Sequence, residues 1–239
     1  MLLPSSSSTI DHTYRRGGPG ERRSPCPALN TMANYGYIPR DGMNIKFWPL
    51  IHALREFYNL SLPLALFLAI PGYLLCGSIL HMSLNLDDLA LHDRLEHDAS
   101  LVHADAAPGA ACAPTNVDPG LLHAFITSCP AGRGFRLEDF AKARIAREKT
   151  LGGRQLNAFH AEIARGESAL SWLLMKDESG EAPPGRLEQW YGEERVPDGW
   201  SKPERRLGLI TTRHTAVKVQ HLIASMSQSG VVQDIPMKR

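Results

Sequence analysis

From residue 40 onward, apolar residues recur at helical spacing, and no stretch alternates apolar and polar residues for long enough to build a substantial sheet. Leu137, Phe140, Ala141 and Ile145 form one stripe. Leu156, Phe159, His160 and Ile163 form a second, and Val219, Leu222, Ile223 and Met226 a third. Each stripe marks a helix face that needs a partner surface, so the predicted fold class is mainly α. Turn chemistry separates the segments, in "PRDG" (39–42), "AAPGAACAPTN" (106–116), "CPAGRG" (129–134), "DESGEAPPG" (177–185) and "VPDGWSKP" (196–203). The chain has no internal repeat and no heptad array.

One region stays ambiguous on pattern alone. No Asp, Glu, Lys or Arg lies between Phe57 and Leu86, and "LSLPLALFLAIPGYLLCGSIL" matches the roughly 20 residues of a membrane span. Pro63, Pro71, Gly72 and Gly77 interrupt the run, and its flanks carry neither a Lys/Arg cluster nor an aromatic belt. A span and a buried helix both remain open at this point.

Composition narrows the function classes. The chain has 239 residues, with Lys+Arg 26 against Asp+Glu 25, so no net field draws it to nucleic acid or to acidic membranes. Cys26, Cys76, Cys112 and Cys129 show no CxxC spacing, which excludes a zinc knuckle; a Cys112 to Cys129 disulfide stays open. Residues 1–22 read as a flexible polar segment with neither the basic nor the apolar region of a secretory signal, which points to an intracellular setting. Residues 23–230 read as the folded domain and 231–239 as a tail. Asn59-Leu60-Ser61 is a sequon with no signal to support it.

Three segments carry candidate chemistry. In "RRSPCPALNTMANYGYIPRDG", Cys26 stands between Pro25 and Pro27 on a stiff elbow, ahead of a helix that Gly36 ends. Its sulfur meets a helix N-terminus, where the N–H groups of Ala28 and Leu29 favour a thiolate. A buried structural cysteine is the plainer alternative. In "RLEHDAS", a helix over 94–101 would put Glu96 and Ser100 on one face, in reach of a hard cation such as Mg²⁺ or Mn²⁺. His97 points elsewhere, and the spacing turns His92 away from Glu96, which excludes a zinc-protease motif; a solvated charged helix is the alternative. In "ARGESALSWLLM", Glu167, Leu170, Ser171 and Leu174 share a face, so Glu167 is expected half-buried with a raised pKa, suited to acid-base work. A carboxylate favoured by a helix N-terminus is the ordinary reading.

Together "PCP" at 25–27 with "ALNTMANYGYIPRDG", "EHDAS" at 96–100 and Glu167 resemble the haem-thiolate peroxidases, the fungal chloroperoxidases and short unspecific peroxygenases. "LDDLALHDRLEHDASLVHAD", "NVDPGLLHAFI", "LEDFAKARIARE" and "LEQWYGEERVPDGW" are similar to family segments in family order, so the likeness covers roughly residues 12 to 210. The resemblance implies one compact helical domain of chloroperoxidase type enclosing haem b, with Cys26 as axial ligand beside Ala28 and Leu29. It implies a structural Mg²⁺ or Mn²⁺ on Glu96, Ser100 and the carbonyl of His97. Glu167 would be the acid-base group oriented by His97, and Leu66, Phe67 and Ile70 would wall the pocket, making a membrane span the minor reading. Hydrogen peroxide and a small organic substrate are the implied partners, as in fungal secondary metabolism. Halide oxidation, or a non-catalytic haem-binding or membrane-embedded protein, are the alternatives. Two departures stand out: Tyr35 where family members often have His, and a polar segment in place of a secretory leader.

Overall fold

The computed structural model describes residues 11–229, and its helices start and stop where local chemistry directs. Helix α1 (Pro27–Asn34) opens on a proline whose fixed φ suits the first turn, and Gly36 just beyond it takes φ 70°. Helix α2 (Phe47–Phe57) follows. In α3 (Leu62–Leu75) the Ser61 hydroxyl accepts from the Leu64 N–H, and in α4 (Pro119–Thr127) the Asp118 carboxylate accepts from Leu121. Helix α5 (Leu137–Lys149) carries Glu138 and Asp139 in its first turn and Arg147 and Lys149 in its last, each end matched to the dipole. Asn157 caps α6 (Ala158–Met175); α7 (Pro184–Glu188) is short, and α8 (Leu209–Gln228) is the longest. The only described sheet pairs β1 (Ile45–Lys46) antiparallel with β2 (Ser83–Leu84).

Helices α5, α6 and α8 pack together, and a larger core joins α2 and α3 to Phe135, Phe140, Leu187 and Trp190. The stripe of Leu137, Phe140, Ala141 and Ile145 is buried throughout. Val219 is fully buried, with Leu222, Ile223 and Met226 packed around it against Leu137, Ala141 and Trp172. The second stripe departs from expectation. Leu156 precedes α6, Phe159 is 50% exposed, and the inward face is His160, Ala164, Ser168 and Ser171. Close helix packing selected small side chains there, so size misled the pattern.

No helix among the described residues is long and apolar enough to cross a membrane. Helix α3 has 14 residues, which at about 1.5 Å each falls short of a hydrocarbon core of about 30 Å. All four cysteines are free, so the Cys112 to Cys129 bridge is absent. Within the polar N-terminal segment, Tyr14 donates to the Glu193 carbonyl, the Arg15 N–H to the Asn34 carbonyl, and His12 stacks on Tyr37. Residues 1–10 and the tail at 231–239 lie outside the described residues.

Candidate active site

Cys26 is the N-cap of α1, extended at φ −104°; its side chain makes no capping hydrogen bond, yet the N–H groups of Leu29 and Ala28 lie close enough to favour its ionised form. A buried network fixes this elbow. Ser24 donates its N–H to Asn30 Oδ1 at 2.9 Å, and Asn30 Nδ2 donates to the Ser24 carbonyl at 2.7 Å and to Glu194 Oε1 at 2.6 Å. Asn34 Nδ2 donates to the Glu194 carbonyl at 3.0 Å. Glu194 itself sits at φ 53°, a backbone conformation that these bonds hold in place. The Tyr58 hydroxyl donates to the Ala28 carbonyl and accepts from the Trp190 indole N–H.

The thiolate expected at Cys26 is not what the protein alone provides. Burial pushes the thiol up to about 11, and the carboxylates of Glu167 and Glu194 act in the same direction, against the two amide N–H groups. The cradle therefore holds a neutral thiol that loses its proton when a cation binds the sulfur.

Across from it, Glu167 projects from α6. Its side chain is 58% accessible to water, yet burial is the largest single influence on its carboxyl. Both hold when a group faces a recess walled by protein. Glu167 acts electrostatically on Cys26, and both act on Tyr191, so the three groups lie within electrostatic reach of one another. His97 Nε2 lies 3.4 Å from Glu167 Oε2, and His97 Nδ1 donates to the Asp98 carbonyl at 2.7 Å. The expected rise in the Glu167 pKa is reversed. Burial alone would raise it, but the bond from His97 and the charges of His97, Arg144 and His103 outweigh burial and hold the carboxyl below its usual value. Burial would lower His97, and the bond and charge of Glu167 outweigh that and raise it. The pair favours carboxylate and imidazolium.

The segment 94–101 is not helical as expected; it is a run of turns in which Ala99 takes φ 61°. His92 is not turned away either. Its Nδ1 is 2.7 Å from Glu96 Oε2, because the turn brings the two residues into a bridge. Ser100 Oγ is 3.4 Å from His103 Nδ1. No group of three or more His, Cys, Asp or Glu side chains that could hold a metal gathers among the described residues. On α3, Leu66 is half-buried, while Phe67 and Ile70 are 58% and 41% exposed.

The residues fit haem: a sulfur on a rigid elbow with amide donors to tune it, and an ionised carboxylate opposite. Sequence reasoning missed Ser24, Asn30 and Glu194, which brace the elbow, and His160, whose buried ring lies 6.0 Å from that of His97. The four-residue spacing of His92 and Glu96, and of Cys26 and Asn30, was the available signal.

Residues 12–205 match the family described as Peroxidase, family 2. The chain is 29% identical over 255 residues to the chloroperoxidase of Leptoxyphium fumago, covering 96% of this chain and 68% of that one. It is 27% identical over 237 residues to a dothistromin biosynthesis peroxidase of Dothistroma septosporum, covering 82% of this chain and 56% of the relative. An aromatic peroxygenase of Cyclocybe aegerita is 30% identical over 112 residues, 40% of this chain and 30% of that one.

Proposed function

This chain belongs to peroxidase family 2, and from that premise we propose that it is a peroxide-dependent haem-thiolate enzyme oxidising a small organic substrate, by oxygen insertion or electron abstraction. Its relatives include a biosynthesis peroxidase, which favours a role in fungal secondary metabolism. The observation that carries the reading is the His97–Glu167 pair, with Nε2 3.4 Å from Oε2, within electrostatic reach of the Cys26 sulfur. Haem b, when bound, supplies the redox chemistry with peroxide.

The protein's own groups do the rest. Cys26 Sγ would hold the haem iron, and the N–H groups of Leu29 and Ala28 would temper the charge on the sulfur. Glu167 Oε2, ionised as the free protein holds it, would take a proton from one oxygen of hydrogen peroxide and return it to the leaving oxygen, with the bound haem as the acceptor of the other oxygen. His97 Nε2 holds that carboxylate in place, and its orientation is fixed through the Nδ1 bond to Asp98. Leu66, Phe67 and Ile70 wall the substrate side. A divalent cation on Glu96, Ser100 and the His97 carbonyl would use the Glu96 carboxylate that His92 now engages.

The test is the absorption spectrum of the reduced, carbon monoxide-bound protein, wild type and Cys26→Ser. A strongly red-shifted Soret band lost in the variant supports the reading. A band at the histidine-ligated position in both proteins, or no haem, would overturn it. Halide oxidation is the second reading, favoured by the similarity to a chloroperoxidase, and chlorination set against hydroxylation of one test substrate separates the two.

A further inference from the structure

His97 and the residues to His103 belong to no helix or strand, so no backbone ladder holds them in place. Two arginines on α5 do so instead. Arg144 Nη1 donates to the Ala99 carbonyl at 2.6 Å, and Arg147 Nε donates to the Ser100 carbonyl at 2.5 Å. Arg147 Nη2 reaches Asp105 Oδ1 at 2.8 Å, and that oxygen also accepts the Ala99 N–H at 2.7 Å. Residues 144 and 147 lie three apart on one helix, so both guanidinium groups meet the same stretch of loop.

The environment of Arg144 argues against a purely stabilising role. Its side chain is 1% exposed, its charge is met by Glu148 Oε1 at 3.0 Å, and its Nε has no partner. Glu148 is 38% exposed, so its attraction is screened by water while Arg144 bears the full cost of desolvation, and the pair adds little stability. What the pair does supply is placement. Ala99 is fully buried in a left-handed conformation, one residue beyond the carbonyl that orients the His97 ring.

We propose that Arg144 and Arg147 are positioning residues that clamp the 99–100 peptides to α5 and thereby hold His97 Nε2 against Glu167. The functional consequence rests on the haem-thiolate reading; the clamp itself does not.

The test uses the full chain with Arg144→Met, Arg144→Lys and Arg147→Lys, and three measurements. Amide hydrogen exchange over 97–103, on haem-free and haem-loaded protein, reads the clamp directly. The association rate of cyanide with the ferric protein reads the Glu167 carboxylate without turnover, because hydrogen cyanide must give up its proton on binding. The carbon monoxide band reads the Cys26 side. Arg144→Met is expected to speed exchange in 97–103 and slow cyanide association by about 100-fold, the scale of a 1 Å misplacement. The carbon monoxide band should be unchanged, and Lys at 144 should recover part of the rate. In a Glu167→Gln background Arg144→Met should add nothing. Unchanged exchange, a cyanide rate within about twofold of wild type, or an undiminished effect in the Glu167→Gln background would each overturn the proposal. If Arg144→Met does not fold, Arg147→Lys and Arg144→Lys are judged by the same criteria. If the wild type shows no haem-thiolate band, the functional reading fails, and exchange on the haem-free chain alone decides the clamp.

Discussion

The Cys26 elbow and the His97 loop hold their key atoms by different means. At Cys26 the geometry is mostly local: two prolines, a helix N-terminus, and Ser24 and Asn30 within four residues of the sulfur, with Glu194 as the one distant brace. At His97 local structure is absent. A run of turns is pinned by Arg144 and Arg147, 45 and 47 residues away from the carbonyls they hold. Stiff local geometry suits a ligand whose task is to stay still. A loop fixed from outside lets His97 reach across to the Glu167 carboxylate on α6 without being tied to a helix or strand of its own.

The sharpest way to break this contrast is to remove the proton carrier and leave the ligand intact. Glu167→Gln should lower kcat/KM for peroxide by about 10² to 10⁴-fold, the usual span for a general acid-base group. Haem content and the carbon monoxide band should not change; a loss of haem would show that the two sides are not separable. The complementary change is Asn30→Leu, which leaves the Glu194 carboxyl and the Ser24 backbone unpaired in a buried setting. It should cost about 2–3 kcal/mol in urea unfolding of the haem-free protein while sparing cyanide association.

A smaller effect sharpens the His97 side. In the wild type the Glu167 carboxyl lies below its usual value, so the base is ionised above that pH and is lost as pH falls through it. His97→Ala removes the bond and the charge that lower it and leaves burial, which raises it. The acid limb of the peroxide kcat/KM profile should therefore move to higher pH in the variant, and a shift to lower pH would contradict the pairing. The smallest expected effect is Phe159→Ala, on the exposed face of α6, which should stay within about 0.5 kcal/mol of wild type in thermal unfolding.

Much of this was legible in the residues. The α5 and α8 stripes, the start of α1 at Pro27, its end before Gly36 and the elbow at Cys26 all follow from periodicity and proline geometry, which act over a few residues. The family likeness pointed to His97 and Glu167 together, and the two lie 3.4 Å apart. Periodicity and turn chemistry alone thus fix the inward faces of α5 and α8 and the start and end of α1. The sequence by itself could not determine that residues 94–101 turn rather than coil, that His92 reaches Glu96, or that α6 buries small residues and exposes Phe159. Nor could it give the sign of the shifts at Cys26, where distant carboxylates add to burial, and at Glu167, where distant charges oppose it. Those outcomes belong to the tertiary structure because they depend on which helix packs against which loop: a pKa in a low-dielectric recess is the balance of desolvation and of neighbours that only the folded chain brings together.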